Sequence, residues 1–532
     1  MDRGGERLQP SAAQALRGTP DLVEEPEVRD AAEGSGVRPR ARLAGQAERG
    51  RAADPGQLHP AGHGREGDQR DADQARDRVG GGPGQARGAG QARDEGQGIT
   101  VSAVIARRSF LKGSAIAVAG ASLALERAPA WAQKRELTML SFNHFVPASD
   151  DELRRQADVF SKQAGVTVRV DTIAGPQMFA KRAAEVSSQS GHDVIVTGAA
   201  DPFLYEQQLV DMGDLVDHLG GRYGGWYPFA KETCHTASGW RAVPWFWVAF
   251  VGSYNEVQFK KAGVQAPKTW DDLLKAGKVL KKQGNPVGIP ISQCTDANIT
   301  FWSVLWCAGG KVLEPDGKTP AINSDKAAGV VEWYKELYKD AMEPEVLSWD
   351  NASNNRFLLS GKGSWIHNPI SPYVAAVEKK MPIADEINHH NSPGGPGGIH
   401  SATGVNSLGI WKFSKNIPLA KDFIKFLFEK ENYNAFIKGG SAFNQPPLRG
   451  FAEHPIWASH PKYAMLPKEA EYVHEQGWPA KPNAAVQLIV VNFVLPNMVA
   501  KAIAGMPTKR ALAWGEDQIR LALQGKLETK GK

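Results

Sequence analysis

The stretch Trp240–Pro290, WRAVPWFWVAFVGSYNEVQFKKAGVQAPKTWDDLLKAGKVLKKQGNPVGIP, constrains the fold most, and the strand-like run within it begins at Val243. Its first part, Val243 to Asn255, is aromatic-rich with period-2 character, so it predicts extended chain. Glu256–Ala262 then has helical spacing and stops at Gly263, a residue free to take the left-handed conformation that ends helices. Ala266–Pro267 turns the chain. Thr269 follows as an N-cap, with Asp272 three residues on to complete a capping box, and Leu273, Leu274, Val279 and Leu280 form an apolar stripe. Val287–Ile291 predicts a short strand. Strand, helix, turn, capped helix and strand in that order belong to an α/β architecture.

The pattern extends on both sides. Strands are predicted at Leu137–Phe142, Val166–Ile173 and Asp193–Val196, with helices at Asp150–Gln163 and Met178–Ser188 between them. Later come helices at Phe301–Ala308, Ser324–Lys339, Asn354–Ser360, Ile417–Glu429 and Glu431–Ile437, and extended chain at Thr403–Ile410. A chain of 532 residues exceeds one hydrophobic core, so more than one domain is expected.

Residues 1–105 differ in kind. The first hundred contain no Phe, Tyr, Trp, Cys, Asn or Lys, too little apolar surface to offset the entropy of ordering. They are expected to be a disordered extension, or sequence upstream of a start near Val101 or Val104. Residues 106–132 read as an export signal. Arg107–Arg108 precede Ser109-Phe110-Leu111-Lys112, then the weakly apolar Gly113–Leu125, then Ala130-Trp131-Ala132 as a cleavage site. The apolar part is shorter than the ~20 residues a membrane span needs. The signal resembles the twin-arginine type and implies a protein exported folded to the periplasm.

The crossing region resembles the signature of the extracellular solute-binding proteins that serve bacterial ABC importers of the maltose-binding type. Tyr254–Asn255 match that group's "YN", Ala262–Gly263 its "AG", and Pro267–Leu273 its "P-x-TW-[DE]-[DE]-L". Leu209–Leu215 resembles its "L-x-D-L" step, and Gly361–Trp365 its "G-K-x-x-[MW]" step from helix to strand. The resemblance runs from Leu137 to Gln524. It implies a type II periplasmic-binding-protein fold: two discontinuous lobes joined by a multi-strand hinge, with the ligand cleft between them. Lobe one would comprise residues 133–250 with 405–445, and lobe two residues 251–404 with 446–532. The passages between them would fall at Val243–Asn255, Thr403–Ile410 and Phe443–Leu448.

Within that frame, parallel strands present their C-terminal ends to a crevice, which nominates Asn143, His144, Thr197 and Asp201. Trp245 and Trp247 share one side of an extended segment, facing either cleft or core. Asn368, Asn406 and Asn444 sit on passages expected to face the cleft, and Trp302 is a further candidate. Tryptophan faces pack on sugar C–H groups while Asn, Asp, Thr and His satisfy hydroxyls. The implied ligand is a carbohydrate or polyol, and the implied partners are the transmembrane subunits of the permease. No cofactor is expected, and the chain should act as a monomer.

Other classes are less well served. The formal charge of +5 is scattered, without the basic blocks that engage nucleic acid. Cys234, Cys294 and Cys307 have no zinc spacing and are expected to be packing residues. No nucleophile elbow, zinc helix, phosphate loop or dinucleotide fingerprint occurs in the mature chain. His389–His390, beside the glycine-rich run Asn391–Gly398, read as a solvated loop pair rather than metal ligands. A polyamine or glycerol-phosphate would demand cleft carboxylates or an Arg/Lys cluster. A secreted carbohydrate-active enzyme would need two carboxylates, for which Asp201 with Asp296 or Asp350 are the candidates.

Overall fold

The computed structural model describes residues 135–528. The export signal and the extension before it lie outside the described residues.

In chain order the strands are β1 (Glu136–Phe142), β2 (Thr167–Ile173), β3 (Val194–Thr197), a small hairpin of β4 (His235–Thr236) and β5 (Gly239–Trp240), β6 (Val243–Trp247), β7 (Val251–Asn255), β8 (Val287–Gly288), β9 (Trp365–Asn368), β10 (Ile387–His390), β11 (Ser401–Thr403), β12 (Val405–Ile410) and β13 (Val473–Glu475). They build two principal sheets. The first runs β2-β1-β3-β12-β6 and the second β10-β7-β9-β8. In the first, β1 is parallel to β2 and β3, while β12 runs antiparallel to β3 and β6.

The chain passes between sheets without a long linker. Val248, Ala249 and Phe250 separate β6, on the edge of the first sheet, from β7 of the second. Pro244 can sit in β6 because an edge strand spares one side of its backbone from pairing. The return passage runs from β10 through β11 and Gly404 into β12. Phe443–Leu448, expected to be a passage, pairs with β6 and the chain before it: Gln445 bridges to Trp247 and Leu448 to Trp226. The 3-10 turns between Arg449 and Glu471 then pack beside β10, Lys462 donating to the Ala384 carbonyl and Glu469 accepting from the Asn391 amide.

Local signals account for the elements around the first passage. The Asn255 side chain accepts from the Gln258 N–H and opens the helix Glu256–Ala262, which closes on Gly263 at φ 68°. Thr269 and Asp272 form the reciprocal capping box of the helix Trp270–Lys282. Leu273 and Leu280 of the expected stripe are buried, but Val279 is exposed.

His389 and His390 are not a solvated pair. They lie on β10, where His389 is buried against Ser253 and His390 packs over Gly252, accepting from the Trp365 indole N–H. Burial pushes both imidazoles down, to about 3 and about 4, so both are neutral. The three cysteines are buried and unpaired.

Among the described residues no single helix is long and apolar enough to cross a membrane. The helices Ala484–Val491 and Val494–Ile503 meet that test only jointly, bent by 42°.

Candidate functional site

A cleft of about 1140 Å³, part of it open solvent, lies where the lobes meet. Its walls come from the C-terminal ends of β1 and β3, from both passages, from the start of the helix Thr295–Cys307, from the end of β9, and from the junction of the helices Ala484–Val491 and Val494–Ile503.

Lobe one supplies a wall of carbon. Phe142 and Phe145 follow from β1, Met178 and Phe179 from the helix Gln177–Ser188, Phe246 from β6, and Phe443 from the loop after the helix Lys430–Gly439. Phe145, at 41 % exposure, is the most open large apolar side chain of that wall. Behind it sits His144, whose Nε2 pairs with Asn444 Oδ1 at 2.9 Å and whose ring lies 5.1 Å from Phe443 and 5.7 Å from Phe246. Burial lowers the His144 pKa to about 4, so it braces the phenyl cluster as a neutral ring.

Lobe one's polar groups are mostly tied inward. Arg182 pairs with Asp201 at 2.8 Å, donates to the Val196 carbonyl, and lies over the Phe179 ring. Asp201 also accepts from the Gly198 N–H and the Gln487 amide, contacts that oppose the upward push burial puts on its carboxyl. Thr197 donates to the Ser407 carbonyl. Asn406 is the exception. The pairing of β12 with β6 shifts register between Asn406 and Ser407, an irregularity of the kind that re-aims a side chain.

Lobe two is the polar wall. Asn351 accepts from the Thr295 and Asp296 N–H groups and so fixes the start of the helix that carries Asp296, Asn298 and Ile299. A chain of amides leads to the carboxyl: Asn355 accepts from Asn368, Asn368 accepts from Asn354, and Asn354 donates to Asp296 Oδ2 at 2.7 Å. Burial raises the Asp296 pKa to about 7, with Asp350 adding to the push. Asn298 donates to the Val490 carbonyl, leaving its Oδ1 buried without a partner. Gln476 Oε1, also on the cleft, is likewise buried and unpartnered.

Of the ten residues expected in the site, Thr197, Asn368 and Asn406 line this cleft. The other seven do not. Asn143 is exposed beside it. His144, Asn444 and Asp201 stand behind the lining as supports. The tryptophans are core: Trp245 stacks on Phe436 at 4.6 Å, Trp247 donates to the Pro446 carbonyl, and Trp302 packs on Trp306. They are too large to leave half-covered where these elements pack, and the first-lobe sheet is buried on both sides of β6.

Asp296, Asn298, Gln476 and the phenylalanines line the cleft without having been among the residues expected in the site. One signal was available: if Trp245 and Trp247 face the core, alternation turns Phe246 the other way. Backbone conformation carried another that no sequence discloses. Ala199 and Phe493, both on the cleft, and Ser441–Ala442, just before Phe443, all have positive φ without being glycine. Such strain collects at ligand sites, where surrounding packing holds it in place.

Comparison with known proteins agrees with the fold. No curated protein matches the chain by sequence. Maltose-bound MalE3 of T. maritima superposes with a TM-score of 0.64 at 22% identity, over 73% of this chain and 99% of that one. A sugar transporter from Arthrobacter chlorophenolicus A6 with bound laminaribiose gives 0.63 at 18%, over 74% and 100%. An ABC transporter solute-binding protein from Agrobacterium radiobacter K84 in complex with ribitol gives 0.63 at 19%, over 73% and 98%. Residues 147–434 match the model of the bacterial extracellular solute-binding proteins. With that match spanning more than half its length, on a two-lobed α/β fold with a cleft at the lobe junction, the chain belongs to the bacterial extracellular solute-binding protein family.

Proposed function

We propose that this protein captures a neutral carbohydrate or polyol between its lobes and presents it, unaltered, to the transmembrane subunits of an ABC importer. The observation that carries the reading is the cleft itself: one wall is mostly phenyl rings with Asn406 as its free amide, and the other carries amides and a single free carboxyl beside Phe493. Neutral polar groups suit hydroxyls. A polyamine would need several carboxylates, and here Asp201 is already paired with Arg182. Relatives of the same fold hold maltose, laminaribiose and ribitol, which favours a polyhydroxylated ligand.

The same chemistry favours binding over turnover. Glycoside hydrolysis uses two carboxyl groups flanking the bond, and Asp296 is the one carboxylate among the residues lining the cleft. The binding set we propose is Thr197, Asn406, Asp296, Asn298 and Gln476 with the phenylalanines, while Asn368 positions Asp296 through Asn354.

The lobes divide, in this reading, as 133–250 with 405–448, and 251–404 with 449–532. Several short passages favour bending about one axis, and a ligand touching both lobes would stabilise the closed form. Residues 106–132 direct export through the twin-arginine route to the periplasm, where the protein acts as a monomer without a cofactor. Thermal-shift screening against sugars, polyols and amines tests the reading. A ligand at a hundredfold excess over its dissociation constant adds ~2.7 kcal/mol, so sugars or polyols should raise the melting temperature and amines should not. Replacing Arg107 and Arg108 by lysine should abolish export.

A further inference from the structure

The two walls of the cleft differ in what they can bind. The chain contains 15 Trp and 10 Tyr beside 20 Phe, yet every aromatic ring lining the cleft is a phenylalanine. The distinction is chemical. Indole and phenol pack on a sugar face and also offer an N–H or O–H to its hydroxyls, whereas phenyl offers only carbon. A ligand bearing hydroxyls all round would leave those facing Phe142, Phe179, Phe246 and Phe443 unpaired, and an unpaired buried hydroxyl is costly.

Across the cleft the deficit is reversed. Asn298 is fully buried and Gln476 is 1% exposed, each with a carbonyl oxygen that finds no donor in the protein. Asp296 has one oxygen taken by Asn354 and the other free for a ligand. Oxygen acceptors without donors call for a ligand that brings O–H groups to this side. On lobe one the corresponding unpartnered atom is Arg182 Nε, in a guanidinium already held by Asp201, Val196 and Phe179.

We infer that the solute is amphiphilic: a sugar ring or polyol chain bonded to an aromatic or short alkyl group. Its hydroxyls donate to Asp296, Asn298 and Gln476, and its apolar group lies among the phenyl rings of lobe one. The inference rests on the capture reading above and narrows it to glycosides and similar conjugates.

The test is calorimetric titration of the purified protein with matched sets: phenyl, octyl and methyl glycosides of glucose, galactose and xylose, the free sugars and ribitol, and benzyl alcohol. A phenyl or octyl glycoside binding at least tenfold tighter than its methyl glycoside and parent sugar is the expected result. Free sugar or ribitol binding as tightly as any conjugate overturns the inference and leaves the capture reading standing. Benzyl alcohol binding as tightly as the conjugates overturns it by removing the role of the hydroxyls. No binding across the sets overturns both. In Phe142→Leu affinity for the conjugate should fall by a larger factor than affinity for the parent sugar, so that the preference shrinks, and in Asn298→Ala affinity for both should fall by the same factor.

Discussion

The side-chain amide of Gln487 donates to the buried carboxylate of Asp201 at 2.7 Å, and its carbonyl accepts from the Ala200 N–H at 3.0 Å. One residue of the helix Ala484–Val491 thus holds the turn that follows β3. The same helix takes Asn298 of lobe two on the Val490 carbonyl. The helix therefore ties both halves of the cleft together.

Removing that tie has a direct consequence. Gln487→Leu strands the Ala200 N–H and takes one of three supports from Asp201. Chemical denaturation should show a loss of about 1–3 kcal/mol, the cost of unsatisfied buried polar groups. Gln487→Glu should be worse, because it sets a second carboxylate beside Asp201.

The pair Arg182–Asp201 makes a sharper case. Each single replacement, Arg182→Met or Asp201→Leu, leaves an uncompensated charge in a site where both side chains are almost wholly buried. Each should cost about 3–5 kcal/mol. The double variant should cost less than the sum of the two, and a double-mutant cycle by denaturant melts measures the difference.

Glu469 controls a pH dependence. Its Oε1 accepts from the Asn391 amide and the Ser392 N–H, and burial raises its pKa to about 7. The folded state therefore keeps this proton to higher pH than the unfolded chain, whose carboxyl titrates near 4.5. Stability from this group is complete below about pH 4.5, falls as pH rises toward about 7, and is flat above. The fall is on the order of 3 kcal/mol. Glu469→Gln keeps the acceptor and removes the titration. Its melting temperature should decline less than the parent's between pH 5 and pH 8, measured by scanning calorimetry.

Tryptophans and phenylalanines should separate stability from binding. Trp302→Phe should lower the melting temperature through the lost core volume and leave ligand affinity unchanged, because Trp302 packs on Trp306 away from the cleft. Phe246→Leu should weaken ligand binding about tenfold or more, read by titration calorimetry.

Local signals were legible in the sequence because the residues that carry them are neighbours in the chain. Thr269 with Asp272, and Gly263, each make their contacts within four residues. The alternation of strand and helix carried the α/β class for the same reason, while the two lobes were implied by the resemblance of Tyr254–Leu273 to the family signature. The phenyl wall draws on Phe142, Phe179, Phe246 and Phe443, which meet only once the sheet has formed. Strand-end reasoning put Thr197 and Asp201 together on the cleft; Thr197 lines it, but Asp201 turns inward, since nothing in the sequence links it to Arg182 or Gln487. The tryptophans misled for a plain reason: the ring that serves best as a platform is also the one that core packing buries most deeply.

The central claim is that a two-lobed protein holds a small hydroxylated molecule without altering it. Native mass spectrometry of the purified protein, incubated with sugars, polyols and glycosides, tests this most directly. The account predicts a saturable one-to-one complex whose ligand keeps its mass over hours of incubation. A complex with none of these compounds, or the appearance of cleaved or covalently attached ligand, would contradict it.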